Sequence, residues 1–201
     1  MKQTKITLLC TILIVISSSF SAYAAMPLPI GWYLEGNIGQ ANVSNVTYAS
    51  NSTNNTTGLA WNANVGYKFM PFFAFEGGYT TYGNTNAESY NTKVAKATSQ
   101  TYDIAGKVML PIQNSGFEFL AKLGIGRTRT HVKDSNPAYA TANDITVNAG
   151  TDIATSVIYG LGGEYAFTPN FLVDGQWMRA DGGDRTGNLD AYLIGLSYLF
   201  G

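Results

Sequence analysis

Beyond residue 25 the chain has no cysteine, because Cys10 is the only one. That excludes a disulfide framework and a thiolate metal site in the mature protein. There is one histidine, His131, so a nucleophile–histidine pair has only one place to form. Charge is sparse at 12% of residues, and 12 basic side chains face 13 acidic ones. A basic nucleic-acid binder is excluded by that balance. After residue 25 no segment approaches the roughly 18 consecutive apolar residues that span a bilayer as a helix. A domain with neither staples nor a spanning helix must be held by burial alone, or by a membrane it enters in another way.

The N-terminus indicates where the chain goes. Lys2 and Lys5 precede an apolar run from Leu8 to Ile16, and residues 17–25 then turn small. Ala22-Tyr23-Ala24 fits the small-x-small rule for cleavage. Residues 1–24 read as a secretory signal peptide, cut after Ala24 or Ala25. Residues 25–201 then form one domain of about 176 residues. Without Lys2 and Lys5, ten basic residues face 13 acidic ones, a net charge near −3.

The mature chain is punctuated by glycine, proline and asparagine. Between these breaks lie runs of about ten residues that alternate with period two, the pattern of strands. Eight are legible, over about 31–41, 59–69, 72–82, 101–110, 117–128, 155–167, 171–179 and 189–201. Three connections are short: Met70-Pro71, 111–116 and 168–170. The other four, 42–57, 83–99, 129–154 and 180–188, are longer and polar, and read as loops. This is an all-β, up-and-down antiparallel meander with both ends at the short-turn side.

The two faces of the runs differ sharply. One carries apolar and small residues on all eight, with Arg127 and Arg179 as its charges at the long-loop ends. The opposite face holds Glu35, Lys68, Glu76, Asp103, Lys107, Glu118, Lys122, Glu164 and Asp174. A soluble barrel or sandwich would show the reverse, because burying nine charges in an apolar core is prohibitive. With the apolar face toward lipid and the charges inside, that cost disappears, and closure satisfies every backbone group. Strands of about ten residues, tilted, fit the bilayer. Aromatic residues gather near both strand ends, as interfacial girdles do. The expectation is an eight-stranded transmembrane β-barrel.

Several stretches resemble one family. "FAFEGGY" (73–79), "YDIAGKVMLPI" (102–112), "GLGGEYAFTPNFLVDGQW" (160–177) and the terminal "GLSYLF" (195–200) are similar to the small eight-stranded outer-membrane barrels related to the membrane domain of outer membrane protein A. The resemblance covers essentially the whole mature chain. It implies the outer membrane of a Gram-negative bacterium, and a barrel-only member without a peptidoglycan-binding domain. It implies that Tyr198 and Phe200 form the signal read by the barrel-insertion machinery. It also matches Glu76, Lys107 and Glu164 to the family's charged lumen gate. The inward arginine of that gate has no counterpart here, where Leu172 and Asp174 stand.

An eight-stranded barrel is just wide enough to be filled by side chains. Glu35, Glu76, Lys107, Lys122, Glu164 and Asp174 should lie at similar heights and form a hydrogen-bonded plug; a narrow or gated ion path is the alternative. No catalytic constellation is expected, since His131 in "RTRTHVKDS" reads as a solvated loop histidine with Ser135 four residues on. Nor is a metal or other cofactor: "DGGDRTGNLD" (181–190) lacks EF-hand spacing. Arg127 and Arg179 should face lipopolysaccharide phosphates or solvent. Specific function belongs to the loops. The expected partners are outer-membrane lipid, lipopolysaccharide, the insertion machinery and, through the loops, host surface molecules. The function expected is non-enzymatic: envelope integrity and surface display for adhesion or host interaction.

Overall fold

The computed structural model describes residues 29–44, 49–50, 53–55, 57–89, 92–112, 115–183 and 186–200. The expected signal peptide, residues 1–24 with Cys10, and Gly201 lie outside the described residues. The strands are β1 (Gly31–Ser44), β2 (Thr53–Asn55), β3 (Thr57–Met70), β4 (Phe73–Ser89), β5 (Thr92–Pro111), β6 (Phe117–Asp134), β7 (Gly150–Ala166), β8 (Phe171–Gly183) and β9 (Gly187–Phe200). A helix, α1 (Pro137–Ala142), lies between β6 and β7.

All neighbouring strands are antiparallel, and the sheet closes on itself: β1 pairs with both β3 and β9, and β4 pairs with β5. Trp32 of β1 sits opposite Tyr67 of β3 on one side and Phe200 of β9 on the other. Both ends of the chain's barrel therefore meet at the short-turn rim. The short strand β2 is not a stave; it pairs with the upper part of β4, Asn54 opposite Ala87. The barrel has eight staves, as the alternation indicates.

Within the lipid belt each of the two faces keeps its side. Ile104, Leu123 and Ile194 on the outer face are 65, 67 and 62% exposed. Glu35, Lys107 and Asp174 on the inner face are 4, 4 and 1% exposed. At the short-turn rim the outer rings pack as pairs: Trp32–Tyr67 at 5.2 Å, Phe117–Tyr165 at 4.6 Å and Phe171–Tyr198 at 4.8 Å between centroids. A second row, Trp61–Tyr79 at 5.3 Å and Tyr79–Tyr102 at 4.9 Å, lies toward the long hairpins. These are the two girdles of a lipid-facing belt.

The loops differ from the sequence expectation. Of residues 83–99, the described ones are all strand, continuing β4 to Ser89 and starting β5 at Thr92. Likewise β6 runs to Asp134 and β7 starts at Gly150, well inside the stretch expected to be loop. The physical reason is a change of solvent. Above the outer girdle the strands leave lipid for water, so the apolar side chains move to the inner positions. Ala87, Val94, Ala95, Ala97 and Val132 point inward and are buried, while Lys96, Thr98, Arg129 and Lys133 point outward. On β5 from Ala95 and on β6 period two persists with its polarity inverted. In the β4–β5 pairing, register shifts between Thr81 and Asn84 and between Ala87 and Glu88 change the phase, the first bringing Ala87 to the inner side.

The connection from β6 to β7 contains α1, which was also not expected. Asn136 caps it by accepting from the Tyr139 amide at 3.3 Å, and Pro137 opens the first turn. Its buried Ala140, with Ile145, joins the apolar cluster of the upper barrel. The first and third connections are tied together there. Ala49 bridges Val147, Ser50 donates its amide to the Thr146 carbonyl at 3.0 Å, and Thr146 returns its amide to the Ser50 hydroxyl at 2.9 Å.

Candidate functional site

The lumen is layered. Its middle holds the charges that the inward parity of β1, β4, β5, β6, β7 and β8 brings together. Lys107 Nζ lies 3.1 Å from both Glu35 Oε2 and Glu164 Oε2. Lys122 Nζ lies 2.5 Å from Glu76 Oε1 and 3.2 Å from Asp103 Oδ2. Gln176 donates to Glu35 Oε1 at 2.9 Å and to Asp174 Oδ2 at 3.1 Å. Tyr33 donates its hydroxyl to Glu76 Oε2 at 2.7 Å. Glu35 is the hub: its Oε1 also accepts from Asn37 and Asn64, each at 2.8 Å.

All six expected lumen residues lie in this layer. Glu35, Lys107 and Glu164 form one ion-pair group, Glu76 and Lys122 a second, and Asp174 joins the first through Gln176. The neutral linkers Tyr33, Asn37, Asn64 and Gln176 were not anticipated as members, although their inward parity was readable. Lower down, Lys68 and Glu118 approach to 3.7 Å. Buried charges need such partners, since removing one member of a buried pair costs about 3–5 kcal/mol.

Apolar layers bound the charged one. Toward the short turns lie Tyr33, Ala74, Met109, Leu172 and Leu199. Toward the long hairpins lies a larger cluster that includes Val43, Tyr82, Val94, Ile158, Met178 and Leu189. Between Tyr33, Lys68, Lys107, Glu164 and Leu172 remains a cavity of about 20 Å³, room for about one water. Glycines let the side chains interlock at this density. A Cβ on Gly66 would overlap the Tyr33 ring, and one on Gly195 would overlap the Asn37 amide.

The outer residues fall as follows. Arg127 is exposed on the outer face, opposite Tyr102. Arg179 is held by Asp190 in a fork: Nε to Oδ1 at 2.8 Å and Nη2 to Oδ2 at 2.7 Å. Trp177 donates its indole N–H to the same carboxylate at 3.0 Å. Tyr198 and Phe200 face outward at the short-turn rim, their rings 4.8 Å apart. The Nδ1 of His131 shares a hydrogen with the Thr151 hydroxyl at 2.8 Å. Among the described residues no group of three or more His, Cys, Asp or Glu is placed to hold a metal ion.

A closed antiparallel barrel with lipid-type residues outside, charges inside and aromatic girdles at both rims is an integral membrane β-barrel. More particularly, the chain belongs to the outer membrane protein β-barrel domain family, which it matches over residues 10–200. It is an outer-membrane protein. Among curated proteins none matches it in sequence. Solved structures of similar fold include Ail, the attachment invasion locus protein of Yersinia pestis, at 16% identity and a TM-score of 0.55, covering 85% of this chain and 99% of that one. Neisserial surface protein A is similar at 15% identity and a TM-score of 0.58, over 85% and 97% of the two chains. The outer membrane protein OprG of Pseudomonas aeruginosa is similar at 14% identity and a TM-score of 0.55, over 90% and 99%. At these identities the likeness is one of fold.

Proposed function

We propose that this protein is a non-enzymatic surface-display barrel: a filled membrane stave-ring that supports the envelope and presents firm hairpins for adhesion or host contact. The carrying observation is the inversion of polarity above the outer girdle. It gives β4, β5 and β6 continued strand structure outside the membrane, with an apolar interior anchored to α1 and to the first connection. A rigid projecting surface lowers the ordering cost of binding a partner. The name of Ail as an attachment invasion locus protein, and its complex with the heparin analogue sucrose octasulfate, are consistent with such a role for this architecture. A catalytic role has little support, because His131 engages Thr151 rather than a serine and carboxylate. Tyr198 and Phe200 serve as the insertion signal, and Arg127 and Arg179 lie at the level of lipopolysaccharide head groups.

The test is binding of whole cells to host-cell surfaces, with intact protein and with residues 83–99 replaced by a tight turn. The truncated barrel should keep its heat-dependent gel mobility and lose binding. Undiminished binding by a folded, truncated barrel would sink the display role of this hairpin.

A further inference from the structure

On the outer face of β5 and β6, directly above the lipid belt, the cross-strand pairs read Tyr102–Arg127, Gln100–Arg129, Thr98–His131 and Lys96–Lys133. Four obligate cations thus line one short ladder. Lys96 and Lys133 are directly opposite one another, an arrangement that destabilises a sheet unless an anion lies between them. Among the described residues none of Lys96, Arg127, Arg129 and Lys133 makes an ion pair. The nearest acids by register are Asp152, opposite the inward Thr130, Asp134, which accepts the Asn136 amide at 3.0 Å, and Glu88, opposite Lys93. Lys96, Thr98, Gln100, Arg129, His131 and Lys133 enclose a cleft of about 350 Å³.

A second feature lies below on the same strands. A groove of about 810 Å³ crosses the lipid-facing belt, bounded by Val65, Phe75, Ile104, Leu123, Ile125 and Val157. Its floor dips at Gly77 and Gly106, where a Cβ would meet only one atom within 4 Å, at 3.8 and 3.9 Å. Packing inside the barrel does not demand glycine there, so the dip is a feature of the outer surface. Ile104 and Ile125 form the last apolar pair of the groove, and Tyr102 and Arg127 the next pair up. Along β6 the cations from Arg127 to Lys133 climb about 20 Å at ~3.4 Å per residue. That matches a layer of phosphate and sugar standing on the membrane surface.

We propose that β5 and β6 carry a binding site for one lipopolysaccharide molecule of the surrounding leaflet, with an acyl chain in the groove and its phosphates and inner sugars in the cationic cleft. Charge complementarity and continuity with the lipid-facing belt select this occupant over a soluble anion, which would have no use for the groove. This site rests on the reading of the outer arginines as facing lipopolysaccharide, and it relocates the main contact from Arg179, whose fork is filled by Asp190, to the β5–β6 ladder.

The experiment uses the refolded full chain in phospholipid nanodiscs, titrated with rough lipopolysaccharide, its dephosphorylated form and sucrose octasulfate as the soluble polyanion. Folding of each variant is checked by gel mobility. The triple variant K96Q/R129Q/K133Q should bind lipopolysaccharide about tenfold or more weakly, the loss expected from several charge-assisted bonds. Removing the phosphates should have the same effect on the unaltered protein. The groove variant G77L/G106L should also weaken lipopolysaccharide binding and leave octasulfate binding unchanged. If the triple variant binds normally while R127Q/R179Q does not, the cleft is not the site, although the arginine reading survives. If neither variant weakens binding, both fail. Octasulfate bound as tightly as lipopolysaccharide, with no effect of G77L/G106L, would make the cleft a site for soluble polyanions and overturn the proposal.

Discussion

At the scale of single residues, the barrel is held by groups whose role is decided by parity. Glu35 collects five donors on one carboxylate, from Asn37, Asn64, Lys107, Gln176 and Ser197, because β1 points it inward among them. Glycine shows the same dependence. Gly195 faces the lumen, and a methyl there would strike the Asn37 side chain and the Gly36 carbonyl. Gly175 faces outward with no atom within 4 Å of an added Cβ. Gly195→Ala should therefore destabilise the barrel by about 1–3 kcal/mol through overpacking, whereas Gly175→Ala should stay within about 0.5 kcal/mol. Denaturant unfolding of the two variants in parallel checks this; equal midpoints would show that the lumen is loosely packed. The charged residues of the plug were legible from alternation. Their neutral linkers were not, since Asn and Gln on an inner face give no sign of which carboxylate they reach.

At the scale of elements, the staves were legible within the lipid belt and lost above it. On β5 the same period continues from Ala95 to Tyr102, but there inward Ala95 and Ala97 alternate with outward Lys96 and Thr98. Apolar-outside alternation ends where the solvent changes, so the sequence pattern of a lipid-facing strand stops there while the strand itself continues. α1 escaped for another reason: six residues carry too little periodicity, and only Asn136-Pro137 marked its start. The upper hairpin's structure has a direct consequence. Amides of Ala87, Ala95 and Ala97, carried on paired and buried strand, should resist hydrogen exchange well beyond the seconds typical of exposed loops. Exchange of these amides at loop rates would refute a firm projecting hairpin, and with it the preorganisation on which surface binding depends.

At the scale of the whole molecule, the polar layer sits between two apolar ones, and this decides whether the lumen is a passage. Ions crossing would have to pass the cluster around Val94, Ile158, Met178 and Leu189, then the ion pairs, then Met109, Leu172 and Leu199. Side chains of an eight-stranded barrel fill that bore. On the proposed function the working surface is the outside: the girdles and groove toward lipid, the cationic ladder above them, and the hairpins beyond. The most direct measurement is single-channel conductance of the refolded protein in a planar bilayer, after a heat-dependent mobility shift has shown that the barrel formed. A filled lumen predicts no discrete openings, with or without neutralisation of Glu76 or Lys107. Reproducible openings whose size changes in E76Q or K107Q would contradict it and make the charged layer a conducting site.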